Sequence, residues 1–247
     1  MRNVLLTISF DGTAYHGWQV QENGITVQQT LQDAWQKING TRDNVTGCSR
    51  TDSGVHALRY CCNIRTESTK ACDDLVYSLN AVLPDDIAVL DCREVSPDFH
   101  ARYDCTSKEY IYRIRNSAVK DAFDYRYSLR VTYPLDAEFL DRQAKSFIGE
   151  HDFSAFCASG SSVSDTVRNV TKAEVTRDGD LITFRVEANG FLYNMVRIMA
   201  GTLLGIASGK IPADTIPDII ESRDRGRAGV TAKPHGLFLS NVKYEKE

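Results

Sequence analysis

Hydrophobic and polar positions alternate over residues 4–10 (V-L-L-T-I-S-F), which predicts a strand, and Asp11-Gly12-Thr13 follows as a turn signal. The period then changes to that of a helix. Val27, Leu31, Trp35 and Ile38 fall on one face, Thr26 stands at the N-cap, and Asn39-Gly40 stops the run. Short strands are expected near residues 44–48 and 60–65. A second helix over about residues 73–83 aligns Leu75, Leu79, Val82 and Leu83 and ends at Pro84, and residues 87–95 alternate again. The order is βαββαβ.

The second half repeats that order with additions. Residues 109–115 and 127–133 read as strands, and a helix over about 136–148 buries Phe139, Leu140, Ala144 and Phe147 before Gly149. Residues 167–176 and 181–188 flank Asp178-Gly179 as a hairpin. A long apolar helix is expected over residues 191–207, a shorter one over roughly 213–222, and a closing strand over 236–244. The architecture predicted is α+β: two tandem ferredoxin-like (βαββαβ) units with mainly antiparallel sheets and a cleft between them. The first domain spans residues 1–105 and the second 106–247, with no sequence identity between the halves.

Composition narrows the class. The chain has 247 residues, 33 acidic against 29 basic, a net charge of −4 and 42% hydrophobic residues, the balance of an ordinary globular protein. No apolar run reaches the ~18 residues that a bilayer needs, and the opening Met1-Arg2-Asn3 lacks signal-peptide anatomy, so no membrane partner is expected. Seven scattered cysteines with no C-x-x-C pair predict reduced thiols in a cytoplasm rather than disulfides or a zinc site. An acidic total does not advertise a nucleic-acid binder, although binding answers to a local patch rather than to the sum.

The densest chemistry lies in residues 47–57, where a carboxylate, a guanidinium, hydroxyls, glycines and an imidazole share one loop between strands. Asp52, beside Arg50 and Gly54, is either a carboxylate held ionised as nucleophile or general base, or simply an Asp in a tight turn whose Thr51 and Ser53 bond the backbone. On chemistry alone the turn is the commoner case. Arg197 sits in an almost wholly apolar helix, and a buried arginine must be paired. Asp52 is one candidate partner, a phosphate another, and a salt bridge between domains a third.

Phe10-Asp11-Gly12-Thr13-Ala14-Tyr15-His16-Gly17-Trp18-Gln19-Val20-Gln21 resembles the F-D-G-T-x-Y-x-G-W-Q-x-Q opening of the tRNA pseudouridine synthase A (TruA) family. Arg50-Thr51-Asp52-Ser53-Gly54-Val55-His56-Ala57 is similar to that family's R-T-D-A-G-V-H-A signature. Phe99-His100-Ala101-Arg102, Lys108-Glu109-Tyr110-Ile111-Tyr112 and Asn194-Met195-Val196-Arg197 resemble further family blocks in family order. Two positions depart from the pattern. Ser53 replaces the usual Ala, where its hydroxyl can add a hydrogen bond to Asp52, and Ser49 stands where Gly is more frequent.

The resemblance implies isomerisation of uridine to pseudouridine at positions 38, 39 and 40 of the tRNA anticodon stem-loop. It implies Asp52 as the catalytic carboxylate, ionised near neutral pH, and Arg197 as its basic partner. Tyr110 is expected to stack on the uracil, and Arg50 to fill the space left when the target base flips out. Tyr112 shares a strand face with Tyr110, so either ring could line the cleft. No cofactor or metal is implied, in agreement with a sequence lacking a dinucleotide fingerprint, a P-loop or a His/Cys ligand cluster. Family members resemble homodimers in which one tRNA touches both chains.

Arg102, Lys108, Arg113 and Arg115, and a second group of Arg223, Arg225 and Arg227, are the candidate RNA-facing cations. His56 is expected to have a packing or hydrogen-bonding role. Three other readings stay open: a non-catalytic tRNA-binding module, a hydrolase of the glycosidic bond, and a paralogue acting on other RNA positions.

Overall fold

The computed structural model describes residues 1–160 and 163–245. In chain order the elements are β1 (Arg2–Phe10), α1 (Val27–Asn39), β2 (Val45–Gly47), β3 (His56–Thr66), α2 (Cys72–Asn80) and β4 (Ile87–Val95). They continue as β5 (Cys105–Asn116), β6 (Leu129–Val131), α3 (Ala137–Lys145), β7 (Gly149–Asp152), β8 (Val167–Asp178) and β9 (Leu181–Ala188). The chain closes with α4 (Met195–Ala207), α5 (Ile216–Ser222) and β10 (Leu237–Tyr244). It divides into two compact units, Met1–Thr106 with Phe238–Glu247, and Ser107–Leu237.

In the first unit the strand order is β4-β1-β3-β10, with β2 antiparallel to β3. The strands β4, β1 and β3 are antiparallel. β10 runs parallel to β3 through Phe238↔His56 and Leu239↔Ala57. The closing strand, placed by the sequence pattern in the second half, therefore belongs to the first unit. Burial explains its attachment: Phe238 stacks on His56 at 4.6 Å between centroids, and Leu239 is fully buried. The core collects Leu6, Ile8, Leu31, Trp35, Ile64 and Leu75. Trp35 satisfies its indole N–H on Asp43 Oδ2 at 3.0 Å.

In the second unit the order is β5-β9-β8-β7, all antiparallel, and β6 adds a short parallel pairing to β5. Phe147, Phe153, Phe156 and Phe184 form its buried aromatic centre. Phe147 and Phe156 meet edge to face at 5.3 Å. The fold class is thus α+β with mainly antiparallel strands, as the hydrophobic period predicted.

Local chemistry accounts for most boundaries. Thr26 Oγ1 accepts from Gln29 N at 3.3 Å, and Asp136 Oδ1 accepts from Phe139 N at 3.0 Å, so α1 and α3 begin where their caps stand. The apolar run 191–207 is helical only from Met195, because Asn194 takes a left-handed conformation (φ 61°) that breaks the helix before it. The expected strand 127–133 shrinks to Leu129–Val131. β7, with the polar sequence G-E-H-D, carries no alternation that could have announced it. All seven cysteines are free thiols. Among the described residues no helix is long and apolar enough to cross a membrane.

Candidate active site

The loop between β2 and β3 lies on a bed made by residues 12–18. Trp18 N donates to Thr51 O at 3.2 Å, and Gly54 N to Tyr15 O at 3.3 Å. At the loop's end Gly12 N donates to His56 Nδ1 at 3.0 Å. The approach is close enough to require glycine. A Cβ on Gly17 would lie 2.3 Å from Thr51 O, and Gly17 also has φ +82°. Under the loop, Trp18 stacks on Tyr60 at 4.1 Å between centroids, and Tyr60 OH hydrogen-bonds the Ser49 carbonyl.

Asp52 opens a β-turn: Val55 N donates to Asp52 O at 3.2 Å, and Gly54 supplies the positive φ (+76°) at the third turn position. The structure thus has Asp52 as a turn residue, and the turn holds its carboxylate on a braced loop. Thr51 and Val55 on either side are buried, Asp52 itself is half-buried, and Arg50 is exposed. Ser53 does something other than expected. Its Oγ donates to the Tyr15 carbonyl at 3.2 Å, so the departure from Ala adds a clamp between loop and bed rather than a bond to Asp52. Thr51 Oγ1 is buried and has no hydrogen-bond partner among the described residues. Such an orphan hydroxyl beside the candidate carboxylate calls for an explanation.

Tyr15 and Asp86 were not singled out from sequence, yet both brace the site. The Tyr15 carbonyl takes the bonds from Ser53 and Gly54, while its hydroxyl donates to Asp86 Oδ1 at 2.6 Å. Burial and that carboxylate push the Tyr15 phenol well above its ordinary pKa, so it stays a donor. Asp86 O also accepts from Asp11 N at 2.9 Å, tying the start of β4 to the end of β1. The glycine spacing of the opening motif was the available signal, but its meaning depends on a partner loop some forty residues away. His56 is 1% exposed, and its Nδ1 lies 3.0 Å from both Gly12 N and Asp11 Oδ1.

The second unit carries the other two candidates. Tyr110 is buried on β5, with its ring edge-on to Phe191 at 5.1 Å and 84°. Tyr112, on the same face, is fully buried, and its hydroxyl donates to Lys233 O at 2.8 Å. Burial raises the Tyr112 phenol pKa, and the nearby Arg197 charge offsets this only in part. Of the two rings, Tyr112 is committed to the core. Arg197, in the first turn of α4, is half-buried rather than fully buried. Its Nε donates to Ala232 O at 2.7 Å and its Nη1 to Asn194 Oδ1 at 2.7 Å. Ala232 N returns a bond to Arg197 O at 3.1 Å.

Several of the expected RNA-facing cations already have protein partners. Arg115 pairs with Asp124 at 2.9 Å, Arg223 with Asp152 at 3.1 Å, and Arg225 Nη2 reaches Thr231 Oγ1 at 3.2 Å. Arg102 stays exposed, its guanidinium 5.9 Å from the Tyr103 ring centroid. No cluster of three or more His, Cys, Asp or Glu side chains able to hold a metal ion occurs among the described residues.

Comparison with known proteins adds an independent line. Residues 6–104 and 143–245 match the family model described as tRNA pseudouridine synthase. Both Asp52 and Arg197 fall inside the matched stretches, whereas Tyr110 falls between them. The tRNA pseudouridine synthase A of Acetivibrio thermocellus is 48% identical over 244 residues, covering 99% of this chain and 100% of that protein. Its counterpart from Thermoanaerobacter sp. (strain X514) is 47% identical over the same length and coverage. The tRNA pseudouridine synthase A 2 of Clostridium perfringens is 43% identical, again over 99% of this chain and 100% of its own.

Proposed function

The chain belongs to the tRNA pseudouridine synthase family, and from that membership we propose that it modifies uridines 38, 39 and 40 of the anticodon stem-loop with Asp52 as its catalytic carboxylate. The coarser activity is the family's own: an isomerase that converts uridine to pseudouridine in tRNA. The N1–C1′ bond breaks, C5 joins C1′, the C5 proton leaves and N1 gains one. Every other atom is kept and no electron is transferred, so the protein's work is to extrude the base, hold it and move protons.

The observation that carries the assignment of Asp52 is the bracing of its loop. A carboxylate on a rigid turn, pinned by backbone bonds to residues 15 and 18, meets the requirement that a catalytic group be fixed before substrate arrives. Arg50, exposed on the same loop, fills the space the flipped base vacates. Tyr110, held edge-on by Phe191, stacks on the uracil. Arg197 supplies the second charged group of the reaction. The reading includes a cytoplasmic homodimer, supported by the family resemblance and by seven thiols that a reducing compartment keeps free.

Thr51 Oγ1 has a place in this reading as a donor to the bound nucleotide. Thr51→Val removes a hydroxyl that makes no bond in the free protein, so stability is expected to hold or rise slightly. Turnover on tRNA is expected to fall about tenfold. Urea unfolding beside single-turnover kinetics checks both halves, and unchanged kinetics would leave the hydroxyl without a substrate role.

Arg197→Ala strands the Ala232 carbonyl and the Asn194 side chain. We expect a loss of about 1–3 kcal/mol in urea unfolding, together with a fall in kcat on the order of a hundredfold. A variant with parental stability and rate would remove Arg197 from both roles.

The direct test is a cofactor-free incubation with an unmodified tRNA transcript, read by carbodiimide-blocked primer extension. Stops at positions 38–40 support the proposal. Stops elsewhere point to a paralogue with another target, bound but unmodified tRNA to a binding module, and free uracil to a hydrolase.

A further inference from the structure

We propose that the connection between β5 and β6, residues 117–128, is a second contact for the tRNA substrate, in which Phe123 and Tyr125 stack on unpaired bases away from the target uridine. The inference rests only on tRNA being the substrate. Its residues lie between the two stretches that match the family model.

Exposure is the first observation. Phe123 is 92% exposed, Val119 74% and Tyr125 59%, three large apolar side chains within one short connection. Isolated exposed apolar residues are ordinary, but such a group on one loop marks an interaction surface. The second observation is that this loop is braced. Asp124 accepts from Arg115 Nε and Nη2 at 3.0 and 2.9 Å and also bonds the buried Ser128 hydroxyl. Asp121 Oδ1 caps the turn through Phe123 N at 2.8 Å, and Arg130 Nη1 fastens the loop's start by donating to Ala118 O at 2.9 Å. Phe123 is thus presented by an ordered backbone, which lowers the entropy lost on binding.

Charge selects the occupant. The two acidic residues of the stretch, Asp121 and Asp124, both turn toward Arg115, at 3.8 and 2.9 Å. Lys120, Arg126 and Arg130 are exposed around the rings, against a single Asp121 carboxylate that keeps 39% of its side chain exposed. Arg126 already lies against the Tyr125 ring, 5.4 Å from its centroid. Aromatic faces interleaved with cations suit single-stranded RNA, whose bases stack while its phosphates are neutralised. A second copy of this chain meeting the same patch across a two-fold axis would set cations against cations. The stretch of β5 from Tyr110 to Asn116 spans roughly 20 Å, so the nucleotides engaged lie well away from one held at Tyr110.

Two variants test the proposal. In Phe123→Trp, full-length tRNA is expected to quench the new indole fluorescence by stacking. In the double variant Phe123→Ala/Tyr125→Ala, KM for full-length tRNA is expected to rise on the order of tenfold or more, with kcat and melting temperature at parental values. An indole left unquenched at saturating tRNA, or an unchanged KM, overturns the proposal. So does a double variant that sediments as a smaller assembly than the parent, since the patch would then serve a second copy. The quenching readout does not depend on turnover. A parent protein that leaves tRNA unmodified while the indole is quenched would therefore count against the functional reading alone.

Discussion

Asp52→Asn is expected to lower kcat on tRNA by roughly 10⁴-fold or more, the scale on which removing a nucleophile or base from an enzyme registers. The substitution is informative because it leaves the turn in place. The turn bond from Val55 N goes to the Asp52 backbone carbonyl, which Asn retains, and Asn is as much at home as Asp at the first position of a β-turn. Asp52 is half-buried, and the loop's other anchors run through Thr51, Ser53, Gly54 and His56. Melting temperature and tRNA affinity should therefore stay near the parental values. Release of tritium from C5-labelled uridine in tRNA measures the chemical step directly. A variant retaining more than about one per cent of turnover would mean that Asp52 is only a turn residue.

Gly17→Ala should produce a large stability loss for a single methyl group, at least about 3 kcal/mol. Two costs combine. The residue has φ +82°, where a Cβ is strained, and that Cβ would stand 2.3 Å from the Thr51 carbonyl oxygen. The clash is with main chain, so no rotamer change relieves it. Separation of bed and loop is the available response, and this moves Asp52. Urea unfolding and single-turnover kinetics should consequently fail together, unlike in Asp52→Asn, where the rate alone collapses. Full stability in Gly17→Ala would mean that the loop is less firmly seated than its hydrogen bonds indicate.

Much of the secondary structure was legible because its causes are local. Thr26 caps α1 where the pattern placed it, the helix expected from about residue 136 begins right after its cap Asp136, and the hairpin expected around Asp178-Gly179 turns one residue later, at Gly179-Asp180. The start of α4 was not legible, since Phe191, Leu192 and Tyr193 continue the apolar run of the helix that follows. Only the left-handed Asn194 separates them. Among the candidate site residues, loop chemistry drew attention to Asp52 but alone favoured a plain turn, Arg50 took its role from the family resemblance, and Arg197 stood out as a lone charge in an apolar helix. Ser53 was recognised as a departure, but its partner was not, because a hydroxyl's direction depends on which backbone lies beneath it.

By itself the sequence determined the α+β class, the positions of most elements and the loop that bears Asp52, since periodicity, capping and turn chemistry act between near neighbours. Tertiary structure decided that residues 12–18 form the bed of that loop and that Tyr15 and Asp86 brace it. It also decided that Tyr112 is committed to the core and that the last strand joins the first unit. These are contacts between segments tens to hundreds of residues apart, set by strand register and the filling of space, and no local pattern in the chain encodes them.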